Sequence, residues 1–181
     1  CQYSVPVASQ VLGYIDEQIE FIDSLNRNLM KRFKIRLASD NFDWNLKERL
    51  LDSGYENFFD NSKQKFIPRL NDCSLSVSTS NTTTFLETLS LNFPTIVFFN
   101  PIWYEIREDA KELVESLKRV GILHETPNSA AIFLNGLGGD IENWWSGEEL
   151  QKVREKFCNT YALKDSDWNH QWRQLFESLK K

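Results

Sequence analysis

The sequence is poor in the residue types on which metal and nucleophile–base chemistry depends. Its 181 residues include two histidines, His124 and His170. A histidine metal site or a Ser–His–Asp arrangement has to draw on one of them. His124 follows a predicted helix end, where a cationic ring suits the dipole. His170 lies on a predicted terminal helix, away from any strand end. Neither is assigned a catalytic role, and no metal is expected. The three cysteines, Cys1, Cys73 and Cys158, are odd in number and lack metal-type spacing. They read as reduced thiols of a cytoplasmic protein, with Cys73 buried ahead of a strand. No signal-peptide pattern occurs, and no apolar run approaches the roughly 18 residues of a membrane span. Basic excess is missing too. The net charge of −5 and pI of about 5.2 exclude a general nucleic-acid binder, yet allow a small basic pocket. "NGLGGD" (135–140) lacks the GxGxxG spacing of a phosphate loop, and no strand is expected before it. The chain starts at Cys1 without an initiator Met, which suggests an excised piece of a longer protein.

What is present supports a real core. Apolar residues make up 41% and aromatics 13% of the chain, and its length suits one domain or one lobe. Ile15, Ile19, Ile22, Leu25 and Leu29 predict a helix over 14–31, with Asp16, Glu17, Glu20 and Asp23 in its early turns where the dipole favours acids. "FKIRL" (33–37) predicts a strand, 45–54 a helix closed by Gly54, 55–59 a weaker strand, and 62–72 a helix interrupted near Pro68. Strand 75–79, helix 83–92 and strand 95–99 follow. Asn100 as cap, Pro101 at the first position and Gly121 as terminator predict a helix between them. Ile102, Ile106, Ala110, Leu113 and Leu117 form its stripe. Further helices are expected after Thr126-Pro127, after a Ser146/Glu149 capping box, and over 167–180. Short apolar strands alternating with helices indicate a doubly wound α/β domain, a parallel sheet covered on both faces, with a helical tail from about 121.

The most informative stretch is "DCSLSVSTSNTTTFLETLSLNFPTIVFF" (72–99). Six hydroxyl or amide side chains, Thr79 to Thr84, stand where a strand hands over to a helix. Ligands of open parallel sheets bind outside the carboxyl ends of the strands, and helix amino ends there attract anions. Ser80, Asn81, Thr82, Thr83 and Thr84 can add side-chain donors to the backbone ones. Capping is the competing explanation, because Thr84 and Glu87 have capping-box spacing. One cap needs one such residue, however, and five in succession exceed that need. Trp144 and Trp145 read as packing anchors rather than a sugar platform. Asp40, Asp43 and Trp44 follow the 33–37 strand at the ligand edge, where turn chemistry explains the acids equally well.

Here the sequence resembles known enzymes. "STSNTTTFLETLSLNFPTIVFF" resembles the donor-binding region of GT-B-type glycosyltransferases: strand, Ser/Thr-rich turn, helix bearing a Glu, short Asn- or Gly-containing loop, Pro-Thr and strand. "REDAKELVESLKRVGILHETPNSAA" and "IENWWSGEELQKVREKFC" resemble a bacterial family of surface-carbohydrate transferases found in polysaccharide biosynthesis clusters. The likeness is most specific over 76–160. It implies a C-terminal, donor-binding lobe with Ser80, Thr82 and Thr83 near the phosphate of a nucleotide-activated sugar and Glu87 near its ribose. Related sialic-acid and Kdo-type transferases carry a basic or His-Pro motif after the strand matching 33–37. This chain has Arg36 there and no His-Pro, and Arg36 offers a forked donor to phosphate or a surface salt bridge. The implied partners are the nucleotide-sugar donor, a carbohydrate or lipid-linked acceptor, and an N-terminal lobe supplying the catalytic base. No separate cofactor is implied. A nucleotide-sugar epimerase or polyol-phosphate transferase on the same architecture, and a non-catalytic α/β interaction module, remain as alternatives.

Overall fold

The structure, a computed structural model, describes residues 8–37, 44–163 and 167–179. Three short parallel strands form its centre: β1 (Ser76–Ser78), β2 (Thr95–Phe98) and β3 (Leu123–His124), in the sheet order β1-β2-β3. Before the sheet come helices α1 (Val11–Asp23), α2 (Arg27–Met30), α3 (Leu46–Asp52) and α4 (Phe66–Arg69). Helix α5 (Thr83–Ser90) connects β1 to β2, and α6 (Lys111–Arg119) connects β2 to β3. Helices α7 (Pro127–Gly136), α8 (Ile141–Trp145), α9 (Glu148–Tyr161) and α10 (Trp168–Ser178) complete the chain. Val77 stands opposite Ile96, and Val97 opposite both Ser78 and Leu123, so β2 is bonded on both edges.

All four residues of β2 are buried. Side chains alternate across a strand, so one run of apolar residues feeds two cores. Ile96 and Phe98 join Phe21 and Ile22 of α1, Leu25 just after it, and Ala130, Ala131 and Leu134 of α7. Val97 and the following Phe99 join Phe85 and Leu89 of α5, Leu113 and Leu117 of α6, and Leu150 and Phe157 of α9. Helices therefore pack on both faces of the sheet. The two connecting helices end alike. Asn92 and Gly121 adopt left-handed backbone, φ 54° and 77°. The amides after each helix bond back to Leu89 and Thr88, and to Lys118 and Leu117, which stops the helix and aims the chain into the next strand.

Several expected elements differ. The expected helix over 14–31 is two helices, because the Asn26 side chain accepts from the amides of Asn28 and Leu29 and starts α2. Asn135 of α7 spans the break, accepting from the Asn26 amide and donating to the Ser24 carbonyl. The strands expected at 33–37 and 55–59 shrink to one parallel bridge, Ile35 with Phe59. The expected helix from Pro101 starts only at Lys111. Trp103 and Tyr104 fold into the α5–α6 core instead, and Ile102 of the predicted stripe is 84% exposed. Strand β3 lies inside the stretch expected to be purely helical. The Ser146/Glu149 capping box does not form: Gly147 is the cap residue of α9 and no side chain bonds its first turn. Cys73 is exposed rather than buried, whereas Cys158 is buried. Cys1, Asp40 and Asp43 lie outside the described residues. Among those described, no helix is long and apolar enough to cross a membrane.

Candidate functional site

Because the strands are parallel, β1 and β2 present their carboxyl ends on one rim. The turn 79–82 leaves β1 there, and Asn100 stands two residues beyond β2. Helix α5 starts at this rim. Its cap residue, Thr82, has extended backbone, and its side chain makes no bond to the helix amides. The Thr84/Glu87 capping box is likewise not formed: Thr84 lies within the helix, and its cap position belongs to Thr82. Thr83 and Glu87, one turn apart, share the exposed face of α5, while Phe85, Thr88 and Leu89 face the core. The amino end of this eight-residue helix is therefore not closed by its own hydroxyls.

Those hydroxyls are organised by each other and by two tyrosines. Ser80 Oγ and Thr82 Oγ1 are 3.1 Å apart. From α1, the Tyr14 hydroxyl meets Thr79 Oγ1 at 2.9 Å and also bonds Ser80. The Tyr104 hydroxyl bonds Ser80 and accepts from the Asn81 amide. Its ring packs on Phe99 with centroids 5.1 Å apart. Burial raises the pKa of both phenols, so they remain neutral donors at physiological pH. Asn81 and Thr83 are exposed, and Ser80, Thr82 and Thr84 are half-buried.

Two further groups complete the rim. Asn100 Nδ2 donates to Glu17 Oε1 at 3.0 Å, while Asn100 Oδ1 accepts from the Ile102 amide at 3.0 Å. Glu17 lies on α1 one turn after Tyr14. Burial raises the pKa of its carboxyl; the Asn100 bond lowers it and the nearby Glu20 raises it. Tyr14, Glu17, Asn100 and Tyr104 were invisible as a group in the sequence, where Glu17 read as a dipole-compensating acid and Asn100 as a helix cap. Asn100 carried a usable signal: it directly follows an apolar strand run, on the rim where ligands bind.

Arg36 is engaged elsewhere. It donates to Asp60 Oδ2 at 3.1 Å and to the Gln64 carbonyl at 2.6 Å, the salt-bridge alternative of the sequence reading. His124 packs on Phe133, and burial lowers the pKa of its ring. Trp144 donates to the Val120 carbonyl and Trp145 to Asn92, so both indoles serve packing. Among the described residues no group of three or more His, Cys, Asp or Glu can hold a metal. A cavity of about 330 Å³ lies at the opposite rim, beside Ser74 and Pro94, which precede β1 and β2. Size alone does not make a site; convergent polar groups do, and those converge on the 79–84 turn.

No curated protein and no solved structure matches this chain. A family model does, that of the LIC12162 family transferase, over residues 2–176. With the match running through the sheet, the turn and the helices on both faces, the chain belongs to the LIC12162 family of transferases.

Proposed function

We propose that this chain is the donor-binding lobe of a nucleotide-sugar-dependent transferase of bacterial surface carbohydrate biosynthesis, with the doubly wound, Rossmann-like arrangement of a GT-B C-terminal lobe. The observation that carries the reading is the amino end of α5. It sits at the carboxyl rim of a parallel sheet, its side chains do not cap it, and six hydroxyl or amide residues ring it. Peptide dipoles and first-turn amides favour a phosphate there. Ser80, Thr82 and Thr83 contact the phosphate, Asn81 and Thr84 border it, and Glu87 accepts from ribose hydroxyls. Arg36 would have to leave Asp60 to join them. In such a lobe the turn positions the donor and stabilises the departing phosphate. The base and the carbohydrate or lipid-linked acceptor come with the other lobe. The family's description as a transferase favours group transfer over epimerisation on the same architecture.

The test is a calorimetric titration of CMP, UDP and GDP, with their sugar conjugates, into the chain and its Glu87→Ala variant. Saturable binding of one nucleotide, weakened about tenfold or more in the variant, is expected from losing hydrogen bonds to a charged group. Absence of binding by every nucleotide would return the threonines to a purely structural role.

A further inference from the structure

We propose that Glu17 recognises the hydroxyls of the transferred sugar, forming a hydroxyl-binding subsite beside the anion-binding turn. This rests on the reading of the turn given above and deepens it by assigning the next part of the ligand.

Glu17 is neither solvated like a surface acid nor paired like a structural one. It is half-buried, and among the described residues no cation lies within ion-pair distance of it. Its only described side-chain partner is Asn100, which donates to Oε1 at 3.0 Å. The same Asn100 is fixed through its own oxygen by the Ile102 amide, so one edge of the carboxylate is held in place. Among the described residues the other oxygen meets no hydrogen-bond donor, and it is not sealed from solvent, since no buried side-chain oxygen or nitrogen among them lacks a bond. A carboxylate held at one edge and open at the other selects hydrogen-bond donors.

The surroundings decide which donors. The charged or titratable groups acting on Glu17 are Glu20 on its own helix and the Tyr14 and Tyr104 phenols. The turn offers only neutral hydroxyls and amides, and the end of β2 offers the Asn100 amide. Among the described residues Glu17 belongs to no group of three or more His, Cys, Asp or Glu that could hold a metal. A phosphate is repelled by an uncompensated carboxylate. On the sugar part of a nucleotide-sugar, the donors that fit this carboxylate are neutral hydroxyls. The two sites adjoin, because Tyr14, one turn before Glu17, bonds Thr79 and Ser80 of the turn. The rim therefore sorts a ligand by charge, its anionic part at the start of α5 and its neutral polyol toward Glu17. Glu87, on the outer face of α5, is left for the ribose.

Affinities of wild type, Glu17→Gln and Glu17→Ala are measured by calorimetry and ligand-observed NMR for three probes: bare CMP, UDP and GDP, their sugar conjugates, and free hexoses. Thermal midpoints confirm folding, and Glu17→Gln keeps the acceptor for Asn100. Wild type is expected to bind a conjugate more tightly than its bare nucleotide. Glu17→Ala is expected to erase that advantage, a loss of about tenfold or more, with the bare nucleotide unchanged. Equal losses for conjugate and nucleotide, or no loss for either, overturn the assignment while leaving the phosphate site standing. Glu17-dependent binding of free hexoses without nucleotide binding upholds the subsite and removes the phosphate reading. No binding of any probe removes both.

Discussion

Gly121→Ala isolates a contact that fixes how α6 delivers the chain into β3. Gly121 has φ +77°, and a Cβ built on it would lie 2.3 Å from Phe133 Cζ and 2.6 Å from Cε2. Two costs add. Holding an alanine in left-handed backbone costs about 1–2 kcal/mol. Pushing the Phe133 ring off Trp144 and His124, whose rings lie 5.4 and 5.2 Å away, adds an overpacking cost of about 1–3 kcal/mol. The sum of about 2–5 kcal/mol lowers the thermal midpoint by roughly 5–15 °C for a chain of this size. Gly54→Ala is the internal control. Gly54 ends α3 with φ +85° and the same pair of closing bonds, to Leu51 and Leu50, yet nothing lies within 4 Å of its added Cβ. It should show the backbone cost alone. Urea and thermal unfolding of both variants measure the difference, and Phe133→Leu in the Gly121→Ala background should recover part of it. Equal destabilisation by the two glycine replacements would refute the packing argument.

Other outcomes follow from single side chains. Arg154 is 8% exposed and donates to the Leu89 carbonyl in the last turn of α5 and to Gln151; Arg154→Met should cost about 1.5–3 kcal/mol in urea unfolding. Asp60 is 7% exposed and takes bonds from Arg36, Arg69 and the Ser62 amide. Burial pushes its carboxyl up, but the amide and the guanidiniums outweigh it and hold it below the usual range. Its stabilisation is complete above the unfolded value of about 3.9 and is lost as pH falls through the folded value. Asp60→Asn should therefore cost about 1–3 kcal/mol at neutral pH, with the gap to wild type closing in acid titrations below about pH 4. Glu17 has the opposite sign. Burial raises its folded value, so its charge costs stability as pH rises through that value. Glu17→Gln should melt above wild type at pH 7–8 and lose that advantage below about pH 4.

How far the sequence could be read depended on whether a segment's fate was local. β1, α5 and β2 were legible because an apolar run, a helix-starting Thr cluster and Pro94 set their limits without outside help. β3 escaped because two strand residues carry no period, and Leu123–His124 is a strand only through pairing with Val97 and Phe98. The segment after Asn100 misled in the other direction. Its Asn-Pro start and helical spacing were genuine local signals, but burying Trp103 and Tyr104 against Phe99 and Leu113 outweighed them. That same tertiary choice brings the Tyr104 hydroxyl back to Ser80 and Asn81. Two members of the candidate rim, Tyr14 and Glu17, were thus hidden 65 and 83 positions away from their partners. Tyr14 with Thr79, and Glu17 with Asn100, are separations that no spacing rule reaches.

The central claim is that the first turn of α5 is an anion seat. Amide-resolved NMR of the chain during titration with pyrophosphate, CMP, UDP and GDP tests it most directly. Saturable shifts centred on the Thr83, Thr84 and Phe85 amides, with Ser80 and Thr82 following, are predicted. Shifts centred instead on the Ser74 and Gly139 amides, which line the cavity at the opposite rim, or none with any of these anions, would contradict it.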